Sequence, residues 1–206
     1  MRRPRPFVLS VVTCLAAAAI ALAAVGASAV ATSGPAPPPP GRGEVSLTPL
    51  GTYASGEFDE GAAEIVAYDR PRERALVVNA EAGTVDVLDL SDPTTPTLVD
   101  TLSTPGANSV DVQRGLVAVA EQADPTTNRG RVSIFRAGTL RLLTRVRVGA
   151  LPDMVTFTPD QQSLVVANEG EPEGYCAGQV DPRGSVSLVD LSDGVARATA
   201  RTAGFA

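Results

Sequence analysis

The residues of this chain best suited to chemistry are carboxylates and side-chain amides, and they collect in short stretches between apolar runs. The densest is Asn168-Glu169-Gly170-Glu171-Pro172, where glycine and proline would fix the backbone while two carboxylates point outward. Glu64 and Asp153 stand at matching positions of a repeated pattern, and Asn108 belongs to the copy between them. Asn79 with Glu81, Glu121 with Asp124, and Glu173 with Asp181 complete the oxygen-rich set. Hard oxygen ligands suit calcium or magnesium, and calcium is plentiful outside cells. Three readings stay open: ordinary polar turn residues, a calcium site built from Glu64, Asp153, Glu169 and Glu171, or a carboxylate pair in acid–base work.

The absences narrow the chemistry further. With no His, the chain cannot host a Ser-His-Asp or Cys-His nucleophile system, nor a His-ligated zinc or iron site. Every basic residue is Arg, so Schiff-base chemistry and Ser-Lys dyads are excluded as well. No Gly-rich phosphate loop follows a strand pattern. No catalytic residue is assigned from the sequence.

The elements that must position these groups are visible as a repeat. GAAEIVAYD (61–69), GANSVDVQR (106–114) and ALPDMVTFT (150–158) open three copies, with starts at Gly61, Gly106 and Ala150 and spacings of 45 and 44. Each copy carries several short runs of period two, and none carries a helical stripe. A period in this range with strands of that kind is the mark of propeller blades. The expected fold is therefore all-β: a β-propeller of four-stranded antiparallel blades, about three of them, at about 61–103, 106–148 and 150–206. Strands A to D are expected at 64–69, 75–79, 84–90 and 97–102 in the first copy. The second copy should place them at 109–113, 115–120, 131–136 and 140–148, and the third at 153–158, 163–167, 185–191 and 196–202.

Loop length then points to a face. From the strand B Leu to the strand C Gly the separations are 7 (Leu76–Gly83), 14 (Leu116–Gly130) and 20 (Leu164–Gly184). Insertions in propellers collect on one face, often the binding face. In an antiparallel blade the B–C loop and the D–A connection emerge at the same end. One rim should therefore carry the inserted loops together with Glu64, Asn108, Asp153, Asn168 and Glu169, the set expected to meet a ligand.

The amino terminus reads as an address. Arg2, Arg3 and Arg5 precede an apolar run from Phe7 to Val25, and Ala27-Ser28-Ala29 supplies a small-residue cleavage pattern. Residues 1–29 are thus expected to be a signal peptide, 30–44 a Pro-rich disordered tether, and 45–206 the blades. Export implies a secreted or cell-surface location, with no integral span once the leader is removed. Only Cys176 would then remain, so no intrachain disulfide can form. The formal net charge is −6, and −9 without the three leading arginines. An acidic surface without basic clusters argues against nucleic acid.

LVVNAEAGTVDVLDLSD resembles the YVTN type of surface-layer propeller blade. GEFDEGAAEIVAYD, VVNAEAGTVDVLDLSDPTTPTLV, GANSVDV, VGALPDMVTFTPD and VANEGEP resemble the choice-of-anchor I family of exported bacterial propellers, a resemblance that covers roughly 47–206. Members of that family are similar to mesenchyme-specific cell-surface glycoproteins, and some are labelled alkaline phosphatases. The resemblance implies an exported surface or secreted module for binding or scaffolding, with an unidentified extracellular ligand. Its rival is an extracytoplasmic metal-dependent phosphoesterase, in which rim carboxylates would hold a metal that activates water. Family propellers are longer, so the expectation is an incomplete propeller, truncated at its carboxy-terminal side.

Overall fold

A computed structural model describes residues 46–56, 63–176 and 178–205. The expected signal peptide and tether lie outside these residues. Among the described residues no helix is long and apolar enough to cross a membrane.

Among the described residues, twelve strands form three separate four-stranded antiparallel sheets, each in simple meander order. The first contains β1 (Ala63–Asp69), β2 (Arg74–Asn79), β3 (Thr84–Asp89) and β4 (Thr97–Ser103). The second contains β5 (Ala107–Gln113), β6 (Leu116–Glu121), β7 (Arg129–Arg136) and β8 (Arg141–Ala150). The third contains β9 (Pro152–Phe157), β10 (Ser163–Asn168), β11 (Ser185–Asp190) and β12 (Thr199–Gly204). The main contacts run from the first sheet to the second and from the second to the third, with β1 against β5 and β5 against β9. The first strand of each sheet therefore lies innermost, and the sheets follow one another like blades. They do not close into a ring. This is an all-β, incomplete propeller, as the repeat implied.

The alternation of side chains explains why the sheets stack. In the second sheet both faces are apolar, because successive residues point to opposite sides. Val117, Val119 and Phe135 pack toward the first sheet, against Leu76, Val78, Val85 and Val87. Ala118, Ala120, Val132 and Ile134 pack toward the third, against Leu164, Val166 and Val189. The end sheets each keep one apolar face in the open: Val66, Tyr68 and Leu98 on the first, Met154 and Leu188 on the third.

Strand ends are set by local turn chemistry. After β3 the Asp89 carboxylate accepts the Ser91 N–H at 2.8 Å, and after β11 Asp190 accepts the Ser192 N–H at 2.9 Å. Asp92 and Asp160 cap neighbouring turns in the same manner. These hydrogen bonds favour the ionised form, so all four carboxyls are held below the usual aspartate range, chiefly by their Ser or Thr partners.

Candidate functional site

The rim expected from strand order is present and is hydrogen-bonded together. The B–C loops span 80–83, 122–128 and 169–184, and each touches the link that enters or leaves its own sheet. Thr104 N–H donates to Gly83 O at 3.0 Å, Gln122 N–H to Gly106 O at 2.7 Å, and Glu169 N–H to Leu151 O at 2.9 Å. All three loops therefore open at one edge.

A bulge near the start of each innermost strand aims residues at that edge. Pairing slips between Ala63 and Val66 in β1, between Ala107 and Ser109 in β5, and opposite Ala167–Asn168 in β9. An extra residue in one strand of a pair re-aims a side chain. The residues so placed are Asn108 and Asp153, with Glu64 inside the corresponding slip of β1. Glu64 and Asp153 are exposed, whereas Asn108 is half-buried. The Asn108 amide donates to Gln122 Oε1 and to Pro152 O, both at 3.1 Å, and so ties the second sheet to the third.

The sharpest local feature is an acidic corner at the third sheet. Partial removal from water holds the Glu169 carboxyl above its usual range, and the negative charges of Asp153 and Glu171 push it further up. Gly170, between the two glutamates, has φ +67°, and a Cβ there would stand 2.6 Å from Pro182 O. Only glycine fits a positive φ with so close an approach, so the loop base is pinned while the carboxylates flank it.

One sequence expectation changes. Asn168 does not face a ligand: it is buried, with 3 % of its surface exposed. Its Oδ1 accepts the Gly149 N–H at 3.0 Å, and its Nδ2 lies 3.0–3.2 Å from Ser185 O, Ser185 Oγ and Ser187 Oγ. All of its hydrogen-bonding capacity is spent inside, and a Cβ on Gly149 would sit 2.6 Å from its amide carbon. Asn168 is a latch between sheets. The calcium set of Glu64, Asp153, Glu169 and Glu171 remains an expectation from the sequence. Among the described residues no group of three or more acidic or other ligating side chains converges to hold a metal ion. Asp153 and Glu171 are the charges that raise Glu169, and these three carboxylates form the acidic corner. Glu121 is likewise withdrawn from the rim: it is 1 % exposed and paired with Arg131, whose Nε donates at 2.7 Å.

Sequence reasoning missed a basic cleft at the second sheet. Cross-strand pairing sets Arg131 of β7 directly opposite Arg147 of β8. Together with Arg129, Gly130, Gln122 and Ala123 they line a cavity of about 160 Å³. It adjoins a wider cavity of about 450 Å³ bounded by Pro105, Gly106, Asp124 and the same Gln122, Ala123 and Arg131. The signal was available in the spacing of RGR (129–131) and RVR (145–147), but only the β7–β8 register makes them neighbours. Cys176 is exposed in the long third loop.

Three meandering four-stranded sheets stacked face to face, with one loop-bearing rim, define the molecule as a β-propeller module. Residues 64–206 match the choice-of-anchor I domain, and the chain belongs to that family. Over 154 residues it is 29% identical to a mesenchyme-specific cell surface glycoprotein of Strongylocentrotus purpuratus, covering 70% of this chain and 19% of that protein. The chain thus spans about a fifth of the length of that relative. Among solved structures, hydrazine synthase of Kuenenia stuttgartiensis superimposes with a TM-score of 0.53 at 16% identity, over 69% of this chain and 37% of the other. The β-propeller domain of the Trilobed protease from Pyrococcus furiosus gives a TM-score of 0.37 at 9% identity, over 70% and 43%.

Proposed function

We propose that this chain is part of an exported cell-surface or secreted propeller that binds an extracellular partner through its loop-bearing rim. The observation that carries the reading is the hydrogen-bonded convergence of all three B–C loops with their sheet links on one edge. Loop length varies most on that edge, from 80–83 to 169–184, while the blades beneath it keep one plan, which is how a rigid scaffold presents a variable binding face. The surface glycoprotein similarity supports the location, and the leader-like amino terminus supports export. The acidic corner of Asp153, Glu169 and Glu171 favours a cationic group on the partner.

The phosphoesterase alternative gains no support from the site. Its metal would need converging ligands, and mutually repelling carboxylates beside an anionic substrate would oppose the reaction.

Protease shaving of intact cells tests the location, and a titration of the full chain with spermine tests the corner. Surface release of the chain is expected, together with saturable spermine binding that weakens about tenfold in a Glu169→Gln, Glu171→Gln double variant. Retention inside the cell, or equal spermine binding by both forms, would remove this reading.

A further inference from the structure

The basic cleft at the second sheet holds charge that the fold itself does not use. Like charges placed directly opposite across two strands oppose pairing. Arg131 and Arg147 occupy such positions, and Arg129 lines the same cavity. Only one of the three is neutralised. Arg131 pairs with buried Glu121 through both Nε and Nη2. Arg129 spends its Nε on Val148 O at 2.8 Å, which leaves its two terminal nitrogens available. Arg147 is exposed and has no hydrogen-bond or ion-pair partner among the described residues.

Two further features suit the cleft to a negatively charged guest. Gln122 lines both cavities, and its Oε1 already accepts from Asn108, so its Nε2 is the end left to donate. The smaller cavity, about 160 Å³, exceeds the roughly 30 Å³ that a water occupies in the liquid by enough to admit an oxyanion with part of its hydration. Asp124 and Glu121 are the acidic groups nearby. Asp124 borders only the wider cavity, and Glu121 is already committed to Arg131.

We propose that the cleft lined by Gln122, Arg129, Arg131 and Arg147 is a binding site for an oxyanion group carried on an extracellular ligand. Arg147 and Arg129 supply the forked donors that fit a sulfate, phosphate or carboxylate, and Arg131, held by Glu121, lines the same cavity. The site draws on none of Asp153, Glu169 or Glu171.

The test is calorimetric titration of the full chain with sodium sulfate, sodium phosphate and sodium citrate at constant ionic strength, alongside thermal unfolding. Saturable binding of at least one probe is expected, with a midpoint that rises with its concentration. The probe that binds best distinguishes a sulfate, phosphate or carboxylate source. Arg147→Gln should weaken that binding about tenfold, since it removes a charge-assisted donor pair. Arg145→Gln is the control, because Arg145 lies on the same strand opposite Ser133 and does not line the cavity. Its binding should stay within about twofold of the parent, the scale of a screened surface charge. Arg129→Gln repeats the test should Arg147→Gln melt early without anion. No saturable binding of any probe, or equal loss in Arg145→Gln, would overturn the proposal.

Discussion

The two junctions between neighbouring sheets have similar apolar interiors and different polar ties. Between the first and second sheets, Leu76, Val78, Val85 and Val87 meet Val110, Val117, Val119 and Phe135. Among the described residues no hydrogen bond crosses between β1–β4 and β5–β8. Between the second and third sheets a comparable apolar layer is supplemented by side chains that grip the facing backbone. Ser109 Oγ accepts the Val155 N–H at 3.2 Å, and Asp111 Oδ2 accepts the Phe157 N–H at 2.8 Å. Asn108 reaches Pro152 O, and Asn168 takes the Gly149 N–H. Apolar contact resists separation but is indifferent to direction, whereas hydrogen bonds fix one relative position. The directed junction is also where the acidic corner sits. The groups whose mutual placement matters are therefore mounted on the more rigidly registered half.

The largest effects should show the two junctions as equals. Leu76→Ala and Leu164→Ala each empty a fully packed position, and each should cost about 2–5 kcal/mol in chemical denaturation. A negligible cost for one of them would mean that its junction is not a true core. Asn168→Ala separates the junctions. It strands the Gly149 N–H and the Ser185 hydroxyl, at a cost of about 2 kcal/mol. Hydrogen exchange should quicken at β8, β10 and β11 and remain slow at β2 and β3. Faster exchange spread evenly over all three sheets would break the distinction.

Much of this was legible in the residues, for a definite reason. Strand period and turn residues are local, so all twelve strands fall close to their expected spans. The common rim follows from strand order alone, and it is present. What was not legible depends on facing. Asn168 sits at the end of a strand where an outward or inward turn are equally compatible with the sequence. Only the Gly149 approach from β8 decides it. That Asp111 grips β9 across a sheet boundary is likewise a long-range fact. The arginine cleft was missed because Arg129, Arg131 and Arg147 become one group through cross-strand register. Composition, which is acidic overall, hides such a cluster.

The smallest effect sharpens the comparison by charge. Glu169 has a raised pKa in the folded chain, so the native state holds its proton more tightly than the unfolded state does. Its ionisation therefore costs stability. The cost is absent below the ordinary glutamate pKa, grows as pH rises through the raised value, and is fully present above it. Asp89, Asp92, Asp160 and Asp190 behave oppositely, since their lowered values lend stability at neutral pH that is lost as pH falls through them. The whole chain should thus weaken in acid, and Glu169 is a counter-current within that trend. In Glu169→Gln the cost is gone, and unfolding at neutral pH should be harder by no more than a few tenths of a kcal/mol, because the carboxyl is largely exposed and screened. The difference from the parent should close as pH drops past the ordinary glutamate pKa. A difference that persists there would come from packing at the loop base, and the charge argument for the acidic corner would fail.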